Sequence, residues 1–442
     1  MNAPAPPVLP EPHFAPPEHL DEAGPRGTAV AVARPGTGGL AEARLLLPLA
    51  PAPSAHTTRT KVAAEVVGAA LEEAAGALAV IRTEARGDRL VIALRTFRDD
   101  LAEVCGRVAD TLAQDRLFAP ERVGRAAARV AGGLAAGHPA VVARNGFLAA
   151  VHGDHPYGRP ATAAETAAAT GPELAALLVG APVAARRAVV VGPGPAGALL
   201  ADAAALLPAT GTATAGPVPA DGPGPAPAAR GPVTLVLPGV PQTLIRLGGR
   251  VPGRGDRDYP ALQLAVLMLG GYFGSRLTRV LREREGLAYA PRAVLDPLGR
   301  TAAFTVEADV RNDGAARALV LIREELERLA AGGFTAEELR GACNYAVGSM
   351  AMACSSRSGT ASTLTGVLAS GLAPGWLRGY ERRLRATTPE DVARVAAAHL
   401  APGTTGVVVA PALAPGLPPA PAEAAPEGPA PAGALPAGDP PR

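Results

Sequence analysis

The stretch Gly270–Tyr289, GGYFGSRLTRVLREREGLAY, sets the terms on which the rest of this 442-residue chain is read. Two glycines, Gly270 and Gly271, open it and allow a tight turn or a close approach to a neighbouring surface. Phe273, Leu277, Val280 and Leu281 then recur at helical spacing, which predicts a basic amphipathic helix. Gly286 stops that helix, and Leu287-Ala288-Tyr289 begins an extended run. Arg282 falls in the last turn and Tyr289 just past the break, so one helix-to-strand corner would aim both at one point. A guanidinium and a phenol, both hydrogen-bond donors, suit a grip on a peptide backbone.

Outward from this stretch, composition narrows the function classes. The chain is too long for one compact core and predicts two or three domains. A net charge of +2 gives no electrostatic case for nucleic acid, and 3% aromatic residues give little for base stacking. Lys61 is the only lysine; with the load of Ala, Gly and Pro this reads as GC-rich codon usage, so no arginine is functional by type alone. Cys105, Cys343 and Cys354 cannot all pair and lack CxxC spacing, the pattern of buried thiols in a reduced compartment. Cys343 and Cys354 lie three helical turns apart, on one face. The N-terminal residues hold no basic n-region or apolar h-region, and no run reaches the roughly 18–20 apolar residues of a membrane span. The expectation is a soluble, cytoplasmic protein with no membrane and no nucleic-acid partner.

Along the chain, residues 1–26 are proline-rich and read as extended or disordered. Thr28–Arg34 and Ala43–Leu49 read as the strands of a hairpin around PGTGG, and His56–Ala75 as a helix. Strands at Gly76–Arg82 and Asp88–Leu94 follow, then helices at Asp99–Arg116, Phe118–Ala136 and Pro139–His152. The loop HGDHPYGRP, a short helix at Pro172–Val179, the strand Ala188–Val191 and Ala196–Leu207 close residues 27–207. Pro208–Pro232 has no aliphatic run and reads as a linker. Residues 233–412 begin again with strands at Val233–Leu237 and Thr243–Gly248 and a helix at Tyr259–Leu269. After the opening stretch come a strand at Ala302–Val310 and helices at Gly314–Ala331, Thr335–Leu368, Trp376–Arg385 and Pro389–His399. Gly406–Ala410 is the closing strand, and residues 413–442 read as a disordered Pro/Ala tail. VGPGPAG at Val191–Gly197 imitates a nucleotide loop, but Pro195 interrupts it and Asp221 falls in the linker.

The two halves resemble each other. FAPERV (Phe118–Val123), TGPEL (Thr170–Leu174) and AVVV (Ala188–Val191) have counterparts in FTAEEL (Phe334–Leu339), TTPEDV (Thr387–Val392) and GVVV (Gly406–Val409). Phe118 to Pro172 is 54 residues and Phe334 to Pro389 is 55; Pro172 to Val189 is 17 and Pro389 to Val407 is 18. Three landmarks kept in step predict an internal duplication of an α+β unit.

With HPYGRP in the first half and LGGYFGSRLTRVLREREGLAY in the second, such a duplicated unit resembles the M16 family of zinc peptidases, which includes insulinase, pitrilysin and the mitochondrial processing peptidase. The resemblance covers about residues 27–412. It implies an α+β fold of two tandem homologous domains, each an antiparallel-rich sheet packed with helices, forming a clamshell. Active members carry HxxEH on a helix of the first half, two histidines one turn apart ligating zinc and a glutamate activating water, with a further glutamate from a later helix. None of the seven histidines here, His13, His19, His56, His138, His152, His155 and His399, lies in such a motif. HFAPPEHL at His13–Leu20 has the wrong spacing and two prolines. The region where the motif belongs reads PSAHTTRTKVAAEVVGA (Pro53–Ala69) and looks shortened, and residues 122–153 contain no Asp or Glu. His152 and His155 are spaced as a helical pair but sit in a Pro/Gly loop, where packing is the plainer role.

The resemblance therefore implies no cofactor in this chain and zinc in a partner. Carried over, Arg282 and Tyr289 are auxiliary catalytic residues that contact the substrate backbone and the developing oxyanion, and Gly270, Gly271, Phe273, Ser275, Arg276 and Leu287 are substrate-binding. The family contains pairs of unlike chains, one bearing HxxEH and the other the Arg/Tyr pair; this sequence matches the second type. Its implied partners are an HxxEH-containing M16 paralogue, in a heterodimer, and a peptide that adds a strand to a sheet edge near Leu287–Leu295. A purely structural scaffold subunit and an autonomous peptide-binding module are the alternatives. Against the Arg/Tyr role stands a structural one: Arg282 paired with Glu285 or Glu338, and Tyr289 packed in a core.

Overall fold

The computed structural model describes residues 11–34, 39–50, 56–135, 137–153, 155–209, 231–299, 301–401 and 404–421. Two sheets repeat one topology. The first holds β1 (Leu20–Gly24), β2 (Gly27–Ala33), β3 (Leu40–Pro48), β4 (Ala79–Arg86), β5 (Arg89–Phe97) and β6 (Arg187–Gly192), in the order β1-β2-β6-β3-β5-β4. The second holds β7 (Pro232–Val236), β8 (Thr243–Pro252), β9 (Arg292–Leu298), β10 (Thr301–Val310) and β11 (Thr405–Ala410), in the order β7-β11-β8-β10-β9. Setting β1 aside, these are the same permutation of the same chain order. In each half the last strand lies parallel to the first and antiparallel to the second: β6 between β2 and β3, β11 between β7 and β8. The duplication inferred from sequence landmarks is thus carried by the topology.

That inserted strand corrects the expected hairpin. Thr28–Arg34 and Ala43–Leu49 do form strands, but β6 separates them, so neither bonds to the other. AVVV is apolar on both faces and buried throughout, which places it inside a sheet. The turn residues 35–38 lie outside the described residues.

The helices are α1 (His56–Ala75), α2 (Leu101–Leu112), α3 (Pro120–Ala135), α4 (Pro139–His152), α5 (Ala163–Ala167), α6 (Gly171–Val179) and α7 (Ala196–Ala205) in the first half. The second half has α8 (Tyr259–Val266), α9 (Ala315–Ala330), α10 (Ala336–Ala353), α11 (Arg357–Ala369), α12 (Tyr380–Arg385) and α13 (Pro389–His399). The landmark Thr-x-x-Glu/Asp segments are capping boxes: Thr170 with Glu173, Thr335 with Glu338, and Thr388 with Asp391. Thr335–Leu368, expected as one helix, is two. Ser356 starts the second by accepting the Gly359 N–H at 3.0 Å, and Gly359 lies so close to the Ala353 carbonyl that a Cβ there would sit 1.7 Å from it.

The halves exchange one helix each. α4 lies on the second sheet, where a Cβ at Gly146 would come within 3.0 Å of Leu235 and 3.1 Å of Val407. Phe147 and Val151 of α4 pack with Val407, while α11 covers β3 and β6 of the first sheet. Val30, Val32, Val189 and Val191 consequently share one core with α8 and α9. Burial of this kind couples the two halves at roughly 25 cal/mol per Å² of apolar surface.

Residues 11–26, expected to be extended or disordered, are extended and tied down. Phe14, only 3% exposed, enters the second-half core, its N–H donates to Glu381 Oε2 at 2.8 Å, and β1 pairs antiparallel with β2. A proline-rich segment loses little entropy on docking, so one aromatic anchor suffices to hold it. His13 pairs with Glu381 at 2.8 Å, so HFAPPEHL is a strap and not a ligand set. At the other end Pro419 and Pro418 accept hydrogen bonds from the N–H and hydroxyl of Thr234 at 2.9 and 2.6 Å. Residues 210–230 of the expected linker and 422–442 of the expected tail lie outside the described residues. No helix among the described residues is long and apolar enough to cross a membrane.

Candidate functional site

The corner that carries Arg282 is built from widened helix. After α8 the chain makes π-helical turns at Leu267–Gly271 and Thr278–Arg284, flanking a turn at 272–275. Such turns displace side chains from α-helical register and concentrate at functional sites. Gly270 has no room for a side chain: a Cβ would sit 2.4 Å from the Ala293 nitrogen at the start of β9. Gly286, at φ +60, ends the corner, and Leu287 and Ala288 return their N–H groups to the Leu281 carbonyl at 2.7 and 3.2 Å.

Phe273 is not on the buried face of the helix, as its spacing implied. It precedes the helical turns and is 71% exposed, whereas Leu277, Val280 and Leu281 are buried. Tyr289 is 79% exposed. Arg282 lies between them, its guanidinium carbon 5.3 Å from the Phe273 ring centre and 5.0 Å from that of Tyr289. Each such cation–π contact contributes about 0.5–1 kcal/mol at an exposed site and fixes the direction of the guanidinium without using its N–H donors. Arg282 makes no hydrogen bond or ion pair with a described residue. The acids named in the structural alternative are already occupied: Glu285 pairs with Arg317 at 3.0 Å, and Glu338 binds Arg276 at 3.0 Å and also Arg279.

The other residues expected to bind substrate pack within the corner. Ser275 is fully buried and shares a hydrogen bond with the Thr278 hydroxyl at 3.1 Å. Arg276 is buried as a clamp, reaching Glu325 at 3.3 Å, Glu338 at 3.0 Å and the Gly333 carbonyl at 2.6 Å. Burial alone would raise the Glu338 carboxyl, but hydrogen bonds from the Thr335 backbone, Arg279 and Arg276 outweigh it and hold the group below the usual carboxylate range. Leu287 packs against Gly314, Gly270 against β9, and Gly271 against Leu267. Sequence spacing could not separate these roles, because the π turns change which positions face outward.

At the end of the second sheet, β9 pairs with β10 and, among the described residues, with no strand on its other side, which leaves an open edge. Leu287–Leu295 runs into it: Ala288 bridges Val310, and Arg292–Leu295 are the first residues of the edge strand.

In the first half, the place of the expected metal motif is the start of α1. His56 donates its Nε2–H to the Gly87 carbonyl, 2.6 Å away. Thr58 and Thr60 are buried, Thr58 giving its hydroxyl to Glu165 at 2.6 Å, and the first turn holds no acid. Glu65 is engaged by Arg129. Beside them His152, 4% exposed, has among the described residues no hydrogen-bond partner for either ring nitrogen and meets the rings of Tyr157 and His155 at 5.7 and 6.4 Å. Burial, then Arg250 and His155, push the His152 pKa down to about 4; burial also lowers His56 and His155. Among the described residues no group of three or more His, Cys, Asp or Glu is placed to hold a metal. The segment expected to be shortened before α1 includes residues 51–55, outside the described residues.

Residues 190–345 match the family model described as the peptidase M16 inactive domain. An uncharacterized zinc protease of Mycobacterium tuberculosis is 36% identical over 118 residues, 27% of this chain; the chain spans about a quarter, 26%, of that relative's length. The solved peptidase M16 inactive domain from Pseudomonas fluorescens superposes with a TM-score of 0.74 at 19% identity, covering 91% of this chain and 100% of that one. A protease from Helicobacter pylori superposes with a TM-score of 0.74 at 17% identity, covering 90% and 100%.

Proposed function

We propose that the chain is a member of the M16 peptidase family and the non-catalytic, substrate-binding subunit of a heterodimeric M16-type zinc peptidase. Its partner is an HxxEH-bearing paralogue, which holds the zinc; this chain presents Arg282 and Tyr289 to the peptide being cut. The observation that carries the reading is the presentation of Arg282, held by two exposed rings and given no acid to neutralise it. An arginine kept for stability would be paired, as Arg276 is. One held by ring faces alone keeps all five N–H donors for an incoming carbonyl, and those donors gain strength as the carbonyl oxygen acquires negative charge. The Tyr289 hydroxyl supplies a second donor from the same corner. The open β9 edge leading away from Tyr289 supports a peptide bound as an added strand.

The test is to copurify the chain with an HxxEH paralogue and assay peptide cleavage by the pair. Arg282→Ala and Tyr289→Phe should each lower kcat/KM on the order of 10²-fold with the complex intact. Unchanged kcat/KM in both variants would remove the assigned role and favour a scaffold subunit.

A further inference from the structure

A cavity lies where the two halves meet, remote in sequence from the Arg282 corner. It measures about 710 Å³ and is lined by the end of β2, the start of β3, β5 and the first residues of α11. Three arginines from three different elements face it, Arg34, Arg95 and Arg357, against a single carboxylate, Glu42. Glu42 is buried and spent: one oxygen accepts from Arg95 and the other from Arg44 at 3.0 Å. Arg34 and Arg357 are half-buried, and neither guanidinium makes a hydrogen bond or ion pair with a described residue. Three cations less one anion leave the lining with two positive charges. Holding like charges together in a partly enclosed space costs free energy unless a counter-charge enters.

The remaining polar groups also face outward as donors. Ser358 Oγ accepts from Arg44 Nη2 at 3.0 Å, which leaves its own hydroxyl proton free. Ser356 caps Gly359, while the N–H groups of Arg357 and Ser358 begin a 13-residue helix with no partner inside it. We propose that this cavity binds a dianionic oxyanion of the phosphate class, inorganic phosphate or a small phosphate monoester, clamped between Arg34 of the first half and Arg357 of the second. The charge decides the class, since a dianion cancels the two charges and a monocarboxylate leaves one. A ligand held from both halves would also fasten them together.

The experiment is thermal unfolding and calorimetric titration of the full chain with sodium phosphate, against sodium chloride at the same ionic strength. Phosphate should raise the melting temperature saturably where chloride does not. Arg34→Gln and Arg357→Gln should each weaken phosphate binding at least tenfold. Without phosphate both variants should melt no lower than the parent chain, because neither guanidinium has a partner to lose. Glycerol phosphate as a competitor separates the sources: displacement of phosphate assigns the site to monoesters, and exclusion assigns it to the free ion. Equal shifts with phosphate and chloride, or an undiminished phosphate shift in the double variant, would overturn the proposal.

Discussion

Lowering the pH from 7 to 5.5 should weaken this fold through His152. Its ring is buried where α4 ends, with Arg250 of β8 and His155 of the following loop as the charged or titratable groups that act on it. Neither of these is an acid that could welcome a proton, and among the described residues neither ring nitrogen has a partner. The folded pKa is therefore held down to about 4, against an ordinary 6.5. Between those values the unfolded chain binds a proton that the folded chain refuses, so stability is complete above 6.5 and is lost as pH falls toward 4. A depression of this size corresponds to about 3 kcal/mol in full, and about 1 kcal/mol of it is lost between pH 7 and 5.5. That window stays above the range where ordinary carboxylates titrate. Urea unfolding midpoints of the parent and of His152→Leu at both pH values would measure the effect. The variant should lose most of the pH slope and keep a smaller one, because His56 and His155 are depressed in the same direction. An identical slope in parent and variant would refute the reasoning.

Two further predictions concern the frame of the Arg282 corner. Arg276→Leu removes the cation shared by the buried Glu325 and the half-buried Glu338, which keep Arg328 and Arg279, and should cost about 1.5–3 kcal/mol in urea unfolding; a loss below 1 kcal/mol would show the clamp to be dispensable. Gly270→Ala forces a methyl group against the Ala293 backbone and should cost about 1–3 kcal/mol, with faster amide exchange along β9 as the local sign.

Much of this protein was legible in its sequence. Landmarks at matched spacing exposed the duplication because all but FAPERV mark a capping box or a buried central strand, features fixed by local chemistry. The absence of HxxEH, and of any acid in residues 122–153, is likewise a property of the chain itself. Other features needed the fold. That β6 separates β2 from β3 follows from pairing between segments some 150 residues apart, which no local pattern encodes. Phe14 looked like part of an unanchored proline-rich end until the second-half core it enters was in view. Within GGYFGSRLTRVLREREGLAY the sequence determined which residue types were present, and the tertiary structure decided their direction. The π turns and the close approach of β9 turn Arg276 inward to its acids and leave Arg282 outside, between two exposed rings. Helical periodicity assumes a uniform turn, and here packing against the sheet changed the turn.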